Sequence, residues 1–289
     1  MSQNNSFLPF TITCGDRLLQ YTHPAVMGIL NTTPDSFYDG GRYTDEKQIV
    51  ERALQISSEG ADIIDIGAVS TRPGAQLLTP DEEARRLSSA VAIVRRELPD
   101  AVISVDTCFS LPARAAVSAG ADIINDISGG AFDPDMFQTV AALRTPYILM
   151  HNPYGTADDP AGIKHLPATD PPSPFTILSS HLYALHALGV RDVIIDPGFG
   201  FSKTLDQNYQ LLNKLGQFRT LFPNNPLLVA LSRKSMIYRL LDTTPDDALT
   251  GTIALHAAAL LQGAQLLRAH DVRATVQTIK VIMKLKGEL

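Results

Sequence analysis

Polar side chains stand at the ends of short apolar runs in this 289-residue chain. Asp106, Asn125 and Asp196 each end such a run, and together they offer carboxylate and amide groups. Acceptors of this kind suit a flat heterocycle that presents N–H donors along one edge. Lys234 follows another run and would neutralise part of the acidity. One polar strand end alone is as often a helix cap or a turn former, but the recurrence predicts a ligand pocket.

A second group of residues indicates an anion site. Arg72 lies in a segment with Pro and Gly to shape it, and Arg268 and His270 lie where the last apolar run passes into the last helical segment. Arginine forks and helix starts both suit phosphate oxygens. The formal charge of −6 disfavours nucleic acid and anionic membranes as partners, so an anion needs a local cluster of this kind. The two groups together predict a heterocycle with a phosphorylated arm.

Other catalytic motifs are missing. Lys203 follows two glycines, but the order G-x-x-x-x-G-K-[ST] of a phosphate loop does not occur. Neither a Ser-His-Asp order nor H-E-x-x-H is present, and the seven histidines are scattered. Cys14 and Cys108 are too few for a disulfide framework, which favours a reducing, cytoplasmic compartment. No run approaches the roughly 20 apolar residues of a membrane span.

Eight short apolar runs alternate with helical segments from Ala25 onwards, and 45% hydrophobic residues suffice for a packed core. Continuous apolar runs are typical of parallel strands covered on both faces. Eight such units favour a (β/α)₈ TIM barrel over a doubly wound sheet, whose dinucleotide fingerprint is absent. Reactive groups of a barrel lie at the carboxyl ends of its strands. The runs are AVMGIL (25–30), ADIIDI (61–66), AVISV (101–105), ADIIN (121–125), PYILM (146–150), DVIID (192–196), PLLVAL (226–231) and AQLLR (264–268).

Turn and cap signals support this arrangement. Residues 79–82 (TPDE) predict a capping box at a helix start, and residues 244–247 (TPDD) predict a second start. FTITCGDRLLQY (10–21) predicts a β-hairpin, in an extension of residues 1–24 that caps the barrel bottom. Because no interdomain linker is visible, we expect one domain over 1–289, with 153–174 as a long loop. Four glycines are expected to end helices in the left-handed conformation: Gly60, Gly120, Gly189 and Gly263.

Seven ordered blocks of the chain resemble the dihydropteroate synthase family. The resemblance runs from about Ala25 to the C-terminus and implies a transferase of folate synthesis. Such an enzyme joins 6-hydroxymethyl-7,8-dihydropterin pyrophosphate to p-aminobenzoate, releasing pyrophosphate and 7,8-dihydropteroate, and it is a sulfonamide target and a homodimer. The blocks are MGILNTTPDSFYDGG (27–41), ADIIDIGAVSTRPGA (61–75), ISVDT (103–107), GADIINDISGG (120–130), DVIIDPGFGFSKT (192–204), ALSRKS (230–235) and LLRAHDV (266–272).

The resemblance also implies how the pterin is held. Asp106, Asn125, Asp196 and Lys234 would bind it, with Met150 lying along the ring. The electron-rich ring, held by the carboxylates, would tolerate the positive charge that develops while the bond to the diphosphate breaks.

The remaining roles concern the diphosphate and p-aminobenzoate. The diphosphate would be held at the strand ends and covered by the second loop, and p-aminobenzoate would lie beside it. No covalent enzyme intermediate is implied, and the catalytic groups would be Arg72, Lys234, Arg268 and His270. The resemblance places Asn31, Arg268 and His270 on the diphosphate, Mg²⁺ at Asn31 with Asp35 as a further candidate, Thr71 and Arg72 over the anion, and Ser232, Phe201 and Pro73 around p-aminobenzoate.

Two departures from the family pattern stand out. Ala68-Val69 replaces a more usual Gly-Glu, and Asn152-Pro153 replaces another residue pair after the fifth run, so contacts of that loop are not carried over. Two alternatives stay open. A pterin-binding methyltransferase barrel would need no anion loop, and a catalytically idle pterin-binding paralogue would not need the cations at the strand ends.

Overall fold

Eight parallel strands form the centre of the protein, and helices alternate with them along the chain. The computed structural model describes residues 7–32, 42–68, 78–162, 166 and 172–289, with side chains of the second range from residue 46. The strands are β1 (Phe10–Cys14), β2 (Arg17–Tyr21), β3 (Ala25–Asn31), β4 (Ile63–Gly67), β5 (Val102–Asp106), β6 (Ile123–Asp126), β7 (Tyr147–Met150), β8 (Val193–Asp196), β9 (Leu228–Val229) and β10 (Leu266–Ala269). The helices are α1 (Arg42–Ser58), α2 (Pro80–Glu97), α3 (Ser110–Ser118), α4 (Met136–Leu143), α5 (Pro174–Ala187), α6 (Leu205–Asn213), α7 (Leu215–Leu221), α8 (Ser235–Tyr238), α9 (Leu249–Leu261) and α10 (Val272–Lys286).

The large sheet curls into a nearly closed barrel. Its strand order is β8-β7-β6-β5-β4-β3-β10-β9. A parallel bridge between Ile195 and Leu227 brings the two edges together, and the Ile195 N–H donates to the Pro226 carbonyl at 2.8 Å. Each of the eight predicted runs supplies one strand, so the predicted TIM barrel is confirmed.

The predicted hairpin is also confirmed, and it caps the amino-terminal end of the barrel. β1 and β2 pair antiparallel around a turn at Gly15. Phe10 and Tyr21 stack with their ring centroids 4.7 Å apart. They pack in one buried cluster with Met27 and Ile63, which lie at the starts of their strands. The bottom of the barrel is therefore filled with apolar side chains.

The helix-ending glycines fit the prediction, whereas one of the two predicted helix starts is wrong. All four predicted glycines have φ between 88° and 111°. Thr79 caps α2 by accepting from the Glu82 N–H at 3.3 Å. The second helix does not begin at the TPDD motif but at Leu249, because Thr244 closes a separate turn by donating to Asp247 Oδ2 at 2.8 Å.

The helix layer contributes no membrane-crossing segment in the part of the chain that the structure describes, since no helix there is both long and apolar enough. It does bury one acid. Glu83 lies on the inner face of α2 with 3% of its surface exposed. Burial raises the pKa of its carboxyl from 4.5 to about 7, a hydrogen bond with Thr107 opposes this, and Asp126 adds to it.

This buried acid makes stability depend on pH. Between pH 4.5 and about 7 the folded chain keeps a proton that the unfolded chain releases, so the free energy of unfolding falls as the pH rises. The loss is roughly 2 to 3 kcal/mol between pH 5 and pH 8. Glu83→Gln removes the titrating group. Its free energy of unfolding, measured in urea, should therefore fall by about 2 to 3 kcal/mol less than that of wild type between pH 5 and pH 8. Glu51→Gln, at a side chain 63% exposed, is the control. Parallel pH profiles of wild type and Glu83→Gln would contradict the prediction.

Candidate active site at the barrel mouth

An ion cluster centred on Arg268 links four strands at the carboxyl end of the barrel. The Arg268 Nε donates to Asp65 Oδ2 at 2.7 Å, and its Nη2 donates to Asp106 Oδ2 at 2.8 Å. The Asn125 amide donates to the same Asp65 oxygen at 3.2 Å. Strands β10, β4, β5 and β6 thus each contribute one member. The structure brings together three of the predicted residues and adds Asp65.

Asp65 is a site residue that the sequence reasoning missed. Its side chain is fully buried, and its Oδ1 has no hydrogen-bond partner among the described residues. A buried polar oxygen without a donor is costly, so this oxygen is suited to accept a donor from a ligand. The signal was present in the run ADIIDI, where a carboxylate interrupts an otherwise apolar central strand.

Burial and charge set the protonation of the cluster. Burial raises the pKa of Asp106 to about 7 although Arg268 lowers it, and Asp65 adds to the increase. Burial alone would lower the pKa of Arg268, but Asp65 and Asp106 outweigh that effect and raise it. Arg268 therefore stays cationic in a buried place.

A third carboxylate, Asp196, lies at the end of β8, where Lys203 and Lys234 act on its pKa. Asp196 Oδ1 accepts from the Gly198 N–H at 2.7 Å, and burial raises the pKa of its carboxyl against the opposing effect of Lys234. The Lys234 Nζ donates to the Phe199 carbonyl and lies 4.7 Å from the ring centroid of Phe201. Burial lowers the pKa of Lys234 to about 8, while Asp196 raises it. The predicted grouping of Asp196 with Lys234 is therefore present in the geometry.

Lys203 binds backbone carbonyls and does not have the surroundings of a phosphate-loop lysine. Its Nζ donates to the carbonyls of Gly198 at 2.8 Å, Phe201 at 2.9 Å and His151 at 3.3 Å. Burial lowers its pKa to about 7, against Asp196. The lysine thus ties the loop after β7 to the loop after β8 and fixes the backbone under Phe201.

The loop that departs from the family pattern is tied to the same place. The Asn152 amide donates to the carbonyls of Ile127 at 3.0 Å and Pro160 at 2.8 Å, and its Oδ1 accepts from the Ser202 hydroxyl at 2.6 Å. Asn152 is 4% exposed. Asn152 therefore links the loops after β6, β7 and β8 by internal hydrogen bonds.

An apolar wall completes one side of the mouth. Met150 at the end of β7 is buried with Cys108 and Ile127, and Phe201 packs against this group. Cys108 thus behaves as the small buried hydrophobe that its context predicts. A planar ring would find apolar contact here beside the acidic floor.

The strand ends of β3, β9 and β10 form the other side. The Ser232 hydroxyl lies 3.2 Å from His270 Nδ1 and accepts from the His270 backbone N–H at 3.1 Å. Burial lowers the pKa of His270 to about 4, Arg268 lowers it further, and Asp271 opposes them. The imidazole is therefore neutral above pH 5. Asn31 is exposed at the end of β3. Its side-chain oxygen lies beside Gly67, since a Cβ placed on that glycine would be 3.4 Å from it.

Four of the residues named from the sequence lie outside the described residues: Asp35, Thr71, Arg72 and Pro73. Within the ranges that the structure describes, no three His, Cys, Asp or Glu side chains converge as a metal site.

Comparisons with known proteins agree with this geometry. The family model described as pterin binding enzyme matches residues 27–270. The dihydropteroate synthase of Synechocystis sp. is 38% identical over 289 residues, covering 97% of this chain and 97% of that protein. The solved dihydropteroate synthase of Xanthomonas albilineans with 4-aminobenzoic acid has a TM-score of 0.86 at 37% identity, covering 96% of this chain and 98% of its own. That of Yersinia pestis with a sulfonamide drug has a TM-score of 0.85 at 35% identity, covering 97% and 100%. The chain belongs to the dihydropteroate synthase family, a family of transferases.

Proposed function

We propose that the barrel mouth condenses 6-hydroxymethyl-7,8-dihydropterin pyrophosphate with p-aminobenzoate to give 7,8-dihydropteroate and pyrophosphate. The observation that supports this most strongly is the acidic floor, in which Arg268 is held between Asp65 and Asp106. The floor provides acceptors for a heterocycle and a permanent cation for an anion within one opening. Both substrates are small molecules. The two free, buried cysteines fit a reducing, cytoplasmic compartment.

The pterin would bind along this floor. Asp106, Asn125 and Asp196 offer oxygens to the ring N–H groups, and Lys234 balances the charge. The unpaired Oδ1 of Asp65 adds one more acceptor. Met150 lies in the apolar wall, where the face of the ring would contact it.

The diphosphate would lie toward Arg268 and His270. As the bond between the pterin methylene carbon and the diphosphate oxygen breaks, its electron pair leaves with the diphosphate, and Arg268 stabilises the growing negative charge. His270, neutral above pH 5, contributes a hydrogen bond rather than a charge. By motif resemblance, Thr71 and Arg72 are proposed to close over the same anion.

The oxygen atoms on this side of the mouth are of the kind that binds Mg²⁺. Mg²⁺ is commonly held by one or two protein oxygens, with phosphate oxygens and water completing the set. The exposed Asn31 amide can supply such an oxygen, with Asp35 proposed by resemblance as another. When bound, the ion would neutralise part of the charge on the departing diphosphate.

The p-aminobenzoate would approach between the loop after β8 and the strand end of β9. Phe201 and Ser232 border this space, and Pro73 is proposed to do so by resemblance. The neutral aniline nitrogen attacks the methylene carbon that the diphosphate leaves, then loses a proton. Because the neutral amine is already nucleophilic, the site needs no strong general base, and the neutral His270 is compatible with that.

The proposed reaction predicts release of pyrophosphate that depends on p-aminobenzoate. With the pterin pyrophosphate, Mg²⁺ and p-aminobenzoate present, we expect equal amounts of pyrophosphate and dihydropteroate to form. Pyrophosphate is measured by a coupled phosphate assay and dihydropteroate by chromatography. Omission of p-aminobenzoate should abolish sustained release. Binding of the pterin without turnover would indicate the idle paralogue, and methyl transfer from a methylated folate would indicate the methyltransferase instead.

The proposed pterin role of Asp196 predicts a loss of affinity. Asp196→Ala leaves ligand N–H donors without an acceptor, which costs about 1 to 3 kcal/mol. Calorimetry with a non-reactive pterin analogue should show this loss. Asp192→Ala is the matched control, because Asp192 precedes β8 at the opposite end and interacts with Thr13 of the hairpin. Equal affinity of Asp196→Ala and wild type would exclude this role.

We also propose that the chain forms a homodimer through α9 and α10. The two helices pack against each other, and their outer faces expose Ile253 (38%), Val281 (67%) and Leu285 (71%). Exposed apolar side chains on neighbouring helices are a feature of interaction surfaces. A second copy of this chain is the partner that family membership favours.

The dimer proposal is tested by sedimentation velocity at micromolar concentrations. Wild type should sediment as a dimer, whereas Val281→Glu/Leu285→Glu should sediment as a folded monomer because charge is costly in an apolar interface. Leu111→Glu on α3, where Leu111 is 45% exposed, is the control and should stay dimeric. A monomeric wild type would refute the proposal.

A further inference from the structure

Arg233 has an unusual backbone conformation beside the mouth. Its φ is 54°, in the left-handed region, and it lies between Ser232 and Lys234. A residue with a Cβ is held in this region only when its surroundings fix it. The side chain is 25% exposed and so is largely enclosed. The conformation therefore calls for contacts that impose it.

Those contacts come from three neighbouring segments: α9, the end of β10 and the turn before α9. The Arg233 backbone N–H donates to Thr252 Oγ1 of α9 at 3.0 Å. The guanidinium donates to both carboxylate oxygens of Asp271, each at 2.8 Å. Its Nη1 also donates to the carbonyls of Pro245 at 3.0 Å and Asp246 at 2.9 Å. This set uses the planar fork of arginine, which lysine cannot reproduce.

The contacts connect the ends of two neighbouring strands, β9 and β10, at the anion side of the mouth. Asp271 directly follows His270, and Ser232 directly precedes Arg233. The Ser232 hydroxyl contacts both the imidazole and the backbone N–H of His270. The ion pair of Arg233 with Asp271 therefore fixes the distance between the turn after β9 and the end of β10.

We propose that Arg233 is a positioning residue for the transfer reaction. Its left-handed turn and its fork to Asp271 hold Ser232 and Lys234 in place relative to His270, without contact to substrate. The inference rests on the roles proposed above for those three residues. Loss of the fork would let the turn move and would misplace the p-aminobenzoate and pterin contacts together.

The same pair affects the neighbouring imidazole. Arg233 and Asp271 act on the pKa of His270 in opposite directions, since Arg233 lowers it and Asp271 raises it. Removal of Arg233 takes away one of the cations that lower this pKa, while Arg268 and Arg52 remain and Asp271 keeps its opposing effect. The pKa of His270 should then rise, and Arg233→Lys, which keeps the charge, separates this effect from greater solvent exposure of the imidazole.

The test uses variants that separate backbone from side chain. Arg233→Gly keeps the left-handed backbone accessible and removes the fork, whereas Arg233→Lys keeps a charge. Arg144→Gly is the matched control, because Arg144 is an exposed arginine with φ 55° that ends α4. Steady-state kcat and KM, thermal unfolding and NMR titration of His270 are compared, with the resonance assigned from a His270→Gln sample.

We expect Arg233→Gly to lower kcat/KM for p-aminobenzoate by about tenfold to a hundredfold. Arg233→Lys should recover part of the loss, and Arg144→Gly should stay within about twofold of wild type, as expected for a change far from the site. Adding Asp271→Asn to Arg233→Gly should cause little further loss, because the two residues act as one unit. The His270 titration should move to higher pH in Arg233→Gly only.

Wild-type kinetics and an unchanged His270 titration in Arg233→Gly would overturn the inference. A loss of activity that merely follows the unfolded fraction would overturn it as well. An inactive wild type would refute the proposed reaction alone, and the His270 titration would still decide whether Arg233 controls that side chain.

Discussion

The buried charge of Asp65 is the constraint around which the mouth is organised. A carboxylate without solvent needs a cation, and a buried arginine without a carboxylate is equally unfavourable, so Asp65 and Arg268 each depend on the other. β10 and β4 are not neighbours, because β3 lies between them. Their ion pair spans β3 and therefore depends on the parallel pairing of β4, β3 and β10.

The other ionisable groups of the mouth differ from Arg268 in one respect. Arg268 keeps its charge at any physiological pH, whereas burial lowers the pKa of Lys203 to about 7 and of Lys234 to about 8. Burial raises the pKa of Asp106 to about 7. A fixed cation thus stands among groups whose charge responds to what binds beside them. A ligand with both donors and negative charge can then set their protonation on entry at little energetic cost.

Much of this arrangement could be predicted from the sequence, because its signals are local. Each strand is a continuous apolar run, and four of the helix-to-strand turns carry a glycine in the left-handed conformation. The role of Asp65 could not be predicted in this way, since its partner Arg268 is 203 residues distant. The residue type alone does not show which of several acids turns toward the barrel axis.

The wrong helix start has a similar cause. Residues 244–247 carry a good local capping sequence, but the carbonyls of Pro245 and Asp246 accept hydrogen bonds from Arg233, which precedes them by 12 and 13 residues. A tertiary contact outweighs the local preference there. The roles of Asp35 and of Thr71 to Pro73 stay predictions from motif resemblance, because they lie outside the described residues.

The apolar hairpin at the amino-terminal end of the barrel affects how substrates enter and products leave. Phe10, Ile12 and Tyr21 pack apolar side chains against the amino-terminal end of the barrel. Substrates therefore enter, and products leave, at the carboxyl end of the strands. Pyrophosphate and dihydropteroate have to depart through the opening by which the next pair of substrates arrives, so each product competes with the incoming molecules for the same space. In a barrel that is packed closed at its amino-terminal end, the rate of turnover depends on the order in which the two products dissociate as well as on the chemical step.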